Sequence, residues 1–234
     1  MKNKLTPFIV NAVLCAIIAV TCVVGFADGN AVQVSGEHDQ PYYSAKETAC
    51  GVSLMFNVYQ NTSNVYKILD ILNEFDVSAT FFLGGCWADD NVDCVREIAK
   101  NGHEIGSHGY FHKDHSVMTY RQNYDEILPS IKLLNAILGS DISLFAPPSG
   151  AFNENTLSAC SMLGVKAIMW SRDTIDWRDS DTKLICERAT QNIVNGEFIL
   201  MHPMDVTVAA LPDIISYISS SGLSFVTVSK NLGE

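Results

Sequence analysis

The chain has 234 residues, of which 47% are apolar and 18% charged. That is enough for one domain with a sizeable core plus an N-terminal appendage, and it excludes a low-complexity or disordered chain. A formal net charge of −11 excludes nucleic acid and anionic membrane surfaces as partners recruited by charge.

The chain opens on an export signal. Lys2 and Lys4 precede an almost wholly apolar run from Phe8 to Phe26, broken by Asn11 and Thr21, and Gly25 and Ala27 are small residues before Asp28. This is the pattern of a signal peptide or an uncleaved signal anchor over residues 1–27. The run lies near the lower limit for spanning a bilayer, so length does not separate the two. Without its two lysines the remainder carries −13. The protein is expected outside the cell or at the cell-wall face, secreted or tethered to the membrane by this segment only. Residues 28–48 are polar and read as a linker, and 49–234 as the folded domain. Beyond the signal lie Cys50, Cys86, Cys94, Cys160 and Cys186. An odd count leaves one thiol unpaired in a monomer. Cys86 and Cys94 either close the short loop between them or stay reduced. The absence of a CxxC pair argues against a cysteine zinc site.

Short apolar runs then alternate with helical patterns. Val52–Phe56 reads as a buried strand. Asn64 is placed to cap a helix whose Val65, Ile68, Leu69, Leu72 and Phe75 share one face. Ala79–Leu83 is a strand stopped by Gly84-Gly85. A helix through Val95, Ile98 and Ala99 ends at Asn101-Gly102, and His103–Gly106 is short and extended. Tyr124 to Leu138 is helical up to Gly139, with Pro129 expected to kink or restart it. Leu144–Ala146 is a strand running into Pro147-Pro148. Leu157–Leu163 is a helix, Val165–Trp170 a strand, Leu184–Val194 a helix, Phe198–Met201 a strand, Pro212–Ser219 a helix and Ser224–Val228 a last strand. Alternating strands and helices imply parallel pairing through right-handed crossovers. About seven such units suggest a closed or nearly closed barrel, with a doubly wound open sheet as the alternative. Chemistry in a barrel sits at the C-terminal ends of the strands.

Four polar clusters fall there. In Gly106–His112, His108 and His112 are four apart, which on a helical turn would bring both imidazoles to one face and one cation; His103 and His115 are near enough to keep the ligand set open. Trp170–Trp177 carries Asp173 and Asp176 between two tryptophans. His202 follows a strand directly, and an Asp paired with it would fix its tautomer and favour its protonated form, making it a usable acid. Phe145–Gly150 must form a rigid turn at the mouth, a wall with no reactive group. Each cluster alone has a bland reading: surface or core histidines, a solvated acidic loop, core tryptophans, a structural turn.

In this order the four clusters resemble the polysaccharide deacetylase family (the NodB-homology domain, carbohydrate esterase family 4) from about Cys50 to the C-terminus. The resemblance implies a distorted (β/α)7 barrel and a hydrolase that removes N-acetyl groups from a cell-wall polysaccharide such as peptidoglycan or a chitin-like glycan. It implies a divalent metal, zinc or else cobalt or nickel, on His108 and His112, with a metal-activated water attacking the N-acetyl carbonyl. His202 matches the histidine that protonates the leaving amine. Asp176, or failing it Asp173, matches the acid that orients that histidine. Trp177 matches the aromatic residue lining the acyl pocket, and Pro147, Pro148 and Gly150 match one side of the groove. The family's Thr-Phe-Asp-Asp-Gly motif is represented by Met55-Phe56-Asn57-Val58-Tyr59. Asn57 therefore stands where the base is expected and Val58 where a metal-ligating Asp is expected, and Ala146 stands where an Arg usually pairs with the base. Losing Asp and Arg together leaves no unpaired buried charge. Impaired or rewired catalysis follows as one expectation, and a glycan-binding pseudoenzyme of the same fold as the other.

Overall fold

The computed structural model describes residues 40–45 and 49–233. The expected signal over 1–27 lies outside the described residues, and no helix among the described residues is long and apolar enough to cross a membrane. Seven strands alternate with helices: β1 (Ser53–Val58), α1 (Thr62–Glu74), β2 (Thr80–Leu83), α2 (Gly85–Asp90), α3 (Val92–Lys100), β3 (Glu104–Ser107), α4 (Tyr120–Leu138), β4 (Leu144–Phe145), α5 (Glu154–Leu163), β5 (Lys166–Ala167), β6 (Arg172–Asp173), α6 (Thr182–Thr190), β7 (Phe198–Met201), α7 (Asp205–Ser220) and α8 (Val228–Asn231). All strand pairs are parallel, in the order β5-β4-β3-β2-β1-β7-β6. This is a distorted (β/α)7 barrel in which the edge strands β5 and β6 do not pair with each other. A segment read as linker crosses the gap instead. Tyr42 bridges to Ile168 and Ser44 to Glu197, and Ala45 N donates to Gly196 O at 2.8 Å. Residues 40–45 therefore belong to the domain.

The period-two alternation of the strands divides the core in two. Leu54, Phe56 and Val58 of β1, with Phe81, Leu83, Phe145, Ile199 and Met201, face the helices and join the larger cluster. Met55, Phe82, Leu144, Ala146, Ile168 and Phe198 form a second cluster, which fills the barrel. Gly106 makes room for this plug: a Cβ there would lie 2.6 Å from the Phe82 ring.

Several elements depart from expectation. Helix α1 is capped by Asn61 in a left-handed conformation; Asn64 lies inside the helix and donates to Pro203 O and Asp205. Pro129 neither ends nor restarts α4. It sits on the exposed side, where water can take the Asp125 carbonyl that loses its partner. Helix α7 begins at Asp205 and carries Pro212 in its interior, while Ser224–Val228 is not a strand: Phe225 makes one isolated bridge to Val52, and α8 begins at Val228. The seventh strand is β6, held by the Arg172–Glu197 ion pair at 2.6 Å and by Arg172 donating to the carbonyls of Arg188 and Asn192. The five cysteines from Cys50 onward are free. Cys94 is buried against the core and its thiol is pushed up to about 11 by burial, whereas Cys86 is exposed, so they do not bridge.

Candidate active site at the barrel mouth

The strand register determines which side chains meet at the mouth. Asn57 faces inward, two residues beyond Met55, and pairs with Phe82 of β2. The pairing Phe56 with Met201 carries one step further to set Asn57 beside His202. One level higher, Tyr59, His108 and Ala146 follow the ends of β1, β3 and β4.

His108 is 1% exposed, and its Nδ1–H donates to the Ala146 carbonyl at 2.7 Å. That bond fixes the tautomer and leaves Nε2 bare. Burial, then the neighbouring His112, push His108 down to about 3, so the ring is neutral and available as a donor. His112 is also shifted down, by burial first and by His202. Both shifts carry a contribution from His202, so the three rings lie within electrostatic reach of one another. The rings of His108 and His112 are 5.0 Å apart, edge to face. The helical turn expected to align them is absent. They sit in an irregular loop after β3, in which Gly109 has φ +75° and His112 φ +54°. A left-handed non-glycine residue costs about 1–2 kcal/mol, and two further groups hold it. Glu126 of α4, buried, accepts from Phe111 N at 2.5 Å, while the Tyr59 ring lies 4.1 Å from that of His112.

The acid half is built on Asp176. Its Oδ1 accepts from His202 Nδ1 at 2.8 Å, and its Oδ2 accepts from His202 N at 2.6 Å and Thr207 Oγ1 at 2.5 Å. The carboxylate is wholly buried while the His202 side chain is 15% exposed, so Nε2 is the ring nitrogen left for the cleft. Asp173 has a different job: it accepts from Ile175 N at 2.8 Å, shaping the turn in which Ile175 takes φ +57°. Trp177 is 55% exposed. The Pro147–Gly150 turn is closed by Gly150 N donating to Pro147 O at 3.0 Å, and Trp170 packs where a Gly150 Cβ would sit.

Asn57 is 2% exposed and its Oδ1 has no hydrogen-bond partner, an orphaned acceptor of the kind a cation or ordered water satisfies. Val58 is fully buried in the helix-facing core. Among the described residues no third histidine, cysteine or carboxylate joins the pair in a ligating cluster. A set of two imidazoles and the Asn57 amide oxygen is what could hold a cation here. It suits a borderline divalent ion, held more weakly than by a site with a carboxylate. Sequence reasoning passed over Glu126, Thr207 and Tyr59. Glu126 was detectable as an acid on the apolar stripe of α4, and Tyr59 as a large residue at a glycine position.

The family model for polysaccharide deacetylase matches residues 45–168. A peptidoglycan-N-acetylglucosamine deacetylase of Bacillus cereus is 31% identical over 193 residues, covering 80% of this chain and 68% of that protein. The YlxY protein of Bacillus subtilis is 33% identical over 87% of this chain, which spans 64% of YlxY's length. The chain spans 39% of the Listeria monocytogenes peptidoglycan deacetylase PgdA. Among solved structures, a CE4 family pseudoenzyme of Bacillus anthracis superposes with a TM-score of 0.80 at 29% identity, covering 83% of this chain and 69% of that one. With the fold, the motif order and these matches in agreement, the chain belongs to the polysaccharide deacetylase family.

Proposed function

We propose that the domain is an N-deacetylase of an N-acetylated cell-wall polysaccharide, with an intact acid half and a weakened metal half. The observation that carries this is the Asp176–His202 pair, preorganised by a buried carboxylate with all its contacts satisfied and set beside two neutral imidazoles. A divalent ion on His108 and His112, with Asn57 as third donor, would supply a Lewis acid and ease deprotonation of water at neutral pH. The chain's own residues do the rest. With the oxygen of water added to the acetyl carbon and its proton passed to solvent, protonated His202 donates from Nε2 to the amide nitrogen as the C–N bond breaks, releasing acetate and leaving the amine on the sugar. Asp176 holds that ring in place, and Trp177 with the Pro147–Gly150 wall lines the groove. General-base assistance is typically about 10²–10⁴-fold, so turnover without an Asp at position 57 is slow. Relatives named as peptidoglycan deacetylases support the substrate class, and the acidic surface suits a neutral or cationic glycan. Export to the cell-wall face follows from the N-terminal pattern.

A second reading is a glycan-binding protein without turnover. Asn57 and Val58, neither able to act as a carboxylate, favour it, as does likeness to a protein called a pseudoenzyme. Acetate release from chitin oligosaccharides and peptidoglycan, with zinc, cobalt or nickel, separates the two. Slow, metal-dependent release abolished by His202→Ala supports the enzyme. Binding without release at any pH supports the second reading.

A further inference from the structure

We propose that Tyr59 is a sugar-stacking platform, an aromatic ring that engages a pyranose of the glycan lying across the mouth; the inference rests on the glycan reading above. Tyr59 follows β1 directly, at the position where the family's motif carries glycine. Its backbone is clamped, because Gly84 N donates to Val58 O at 2.9 Å and a Cβ on Gly84 would lie 3.4 Å from the Tyr59 Cβ. Its ring is backed by the His112 imidazole at 4.1 Å, with His108 at 6.5 Å. Yet the residue remains 41% exposed, and its hydroxyl has no hydrogen-bond partner among the described residues.

A ring supported from behind and open in front, with a free donor at its rim, has the chemistry that recognises a pyranose: an apolar face for the sugar's C–H groups and an O–H for its hydroxyls. The strand order β1-β7-β6 sets the strand that leads to His202 between the one that leads to Tyr59 and the one that precedes the Trp177 turn. Tyr59 is the first residue beyond β1 and His202 the first beyond the neighbouring β7, so the ring stands one strand away from the acid histidine. Trp177 is likewise exposed, and its indole N–H has no partner among the described residues. No cation–π pair involves Tyr59 among the described residues, and the chain's net charge is −11, so an anionic ligand is not favoured at this ring. The plainer role, packing that only steadies His112, predicts a different result.

Calorimetric titration of the whole protein with N-acetylglucosamine tetramer decides between them, using Tyr59→Ala and Tyr59→Phe and checking each fold by circular dichroism. Cobalt absorption reports the imidazole pair independently. Tyr59→Ala should weaken tetramer binding about tenfold, equivalent to 1.4 kcal/mol, and Tyr59→Phe should stay within about threefold of wild type. Unchanged tetramer affinity in a folded Tyr59→Ala overturns the platform while leaving the glycan reading intact. The same holds if affinity falls only in step with cobalt binding. A wild-type protein that binds neither the tetramer nor peptidoglycan fragments overturns both.

Discussion

Replacing Asp176 tests the acid half most directly, because one buried carboxylate serves three donors. In Asp176→Ala the His202 backbone N–H, the His202 ring N–H and the Thr207 hydroxyl all lose their acceptor. A buried donor left unsatisfied costs about 1–3 kcal/mol. Thr207 can rotate towards another acceptor, so the two His202 donors set a total of about 2–6 kcal/mol. For a domain of this size each kcal/mol lowers Tm by about 2–4 °C, which predicts a fall of about 4–24 °C by differential scanning calorimetry. Asp176→Asn keeps one acceptor oxygen and should cost only about 1–3 kcal/mol. Its amide nitrogen, however, is a donor. If it turns towards Nδ1, it forces the imidazole into the other tautomer, visible in nitrogen-detected NMR. Acetate release should then fall about 10²–10⁴-fold with little change in metal affinity. An Asp176→Ala protein melting within about 3 °C of wild type would refute the reasoning.

Acid should destabilise the domain through His103, remote from the mouth. It is 7% exposed, lies against Phe81 and is pushed down to about 4 by burial. The unfolded ring takes a proton near pH 6.5 and the folded one does not, so stability is full above 6.5 and lost as pH falls towards 4. The slope is about 1.4 kcal/mol per pH unit, or about 3 kcal/mol in all; urea titrations of His103→Gln should show a shallower decline. Val58→Asp should lower stability by several kcal/mol without metal, because Val58 is fully buried among apolar side chains. If the new carboxylate reaches the imidazole pair, zinc should restore Tm; if zinc does nothing, position 58 cannot ligate in this backbone. Asn57→Asp should raise acetate release about 10²–10⁴-fold at saturating metal, and an unchanged rate would remove position 57 from the chemistry. Glu126→Ala should weaken cobalt binding about 10–100-fold by freeing the loop that carries His112; wild-type affinity would show that the loop holds itself.

The sequence made the inner strands legible because β1, β2 and β7 are buried on both faces and read as mainly apolar runs. It hid β6, a two-residue strand whose place depends on the long-range reach of Arg172 to Glu197. It also misled at Ser224–Val228, where an apolar run packs without forming a ladder. At the site the residue types were visible and their geometry was not. The spacing of His108 and His112 suggested a helical turn, yet the rings meet through a left-handed loop that Glu126 and Tyr59 steady from distant parts of the chain. The resemblance put Asp176 ahead of Asp173, but nothing in the sequence showed what surrounds either carboxylate. Only the fold brings β7 and α7 around a single carboxylate.

The plug of Met55, Phe82, Leu144 and Phe198 has a topological consequence. A hollow cylinder admits polymers by their ends, whereas a filled one offers only its rim. Anything long that meets this rim lies across it and can be approached at an internal unit, with no terminus to thread. The number of places where such a strand can be engaged then grows with its length.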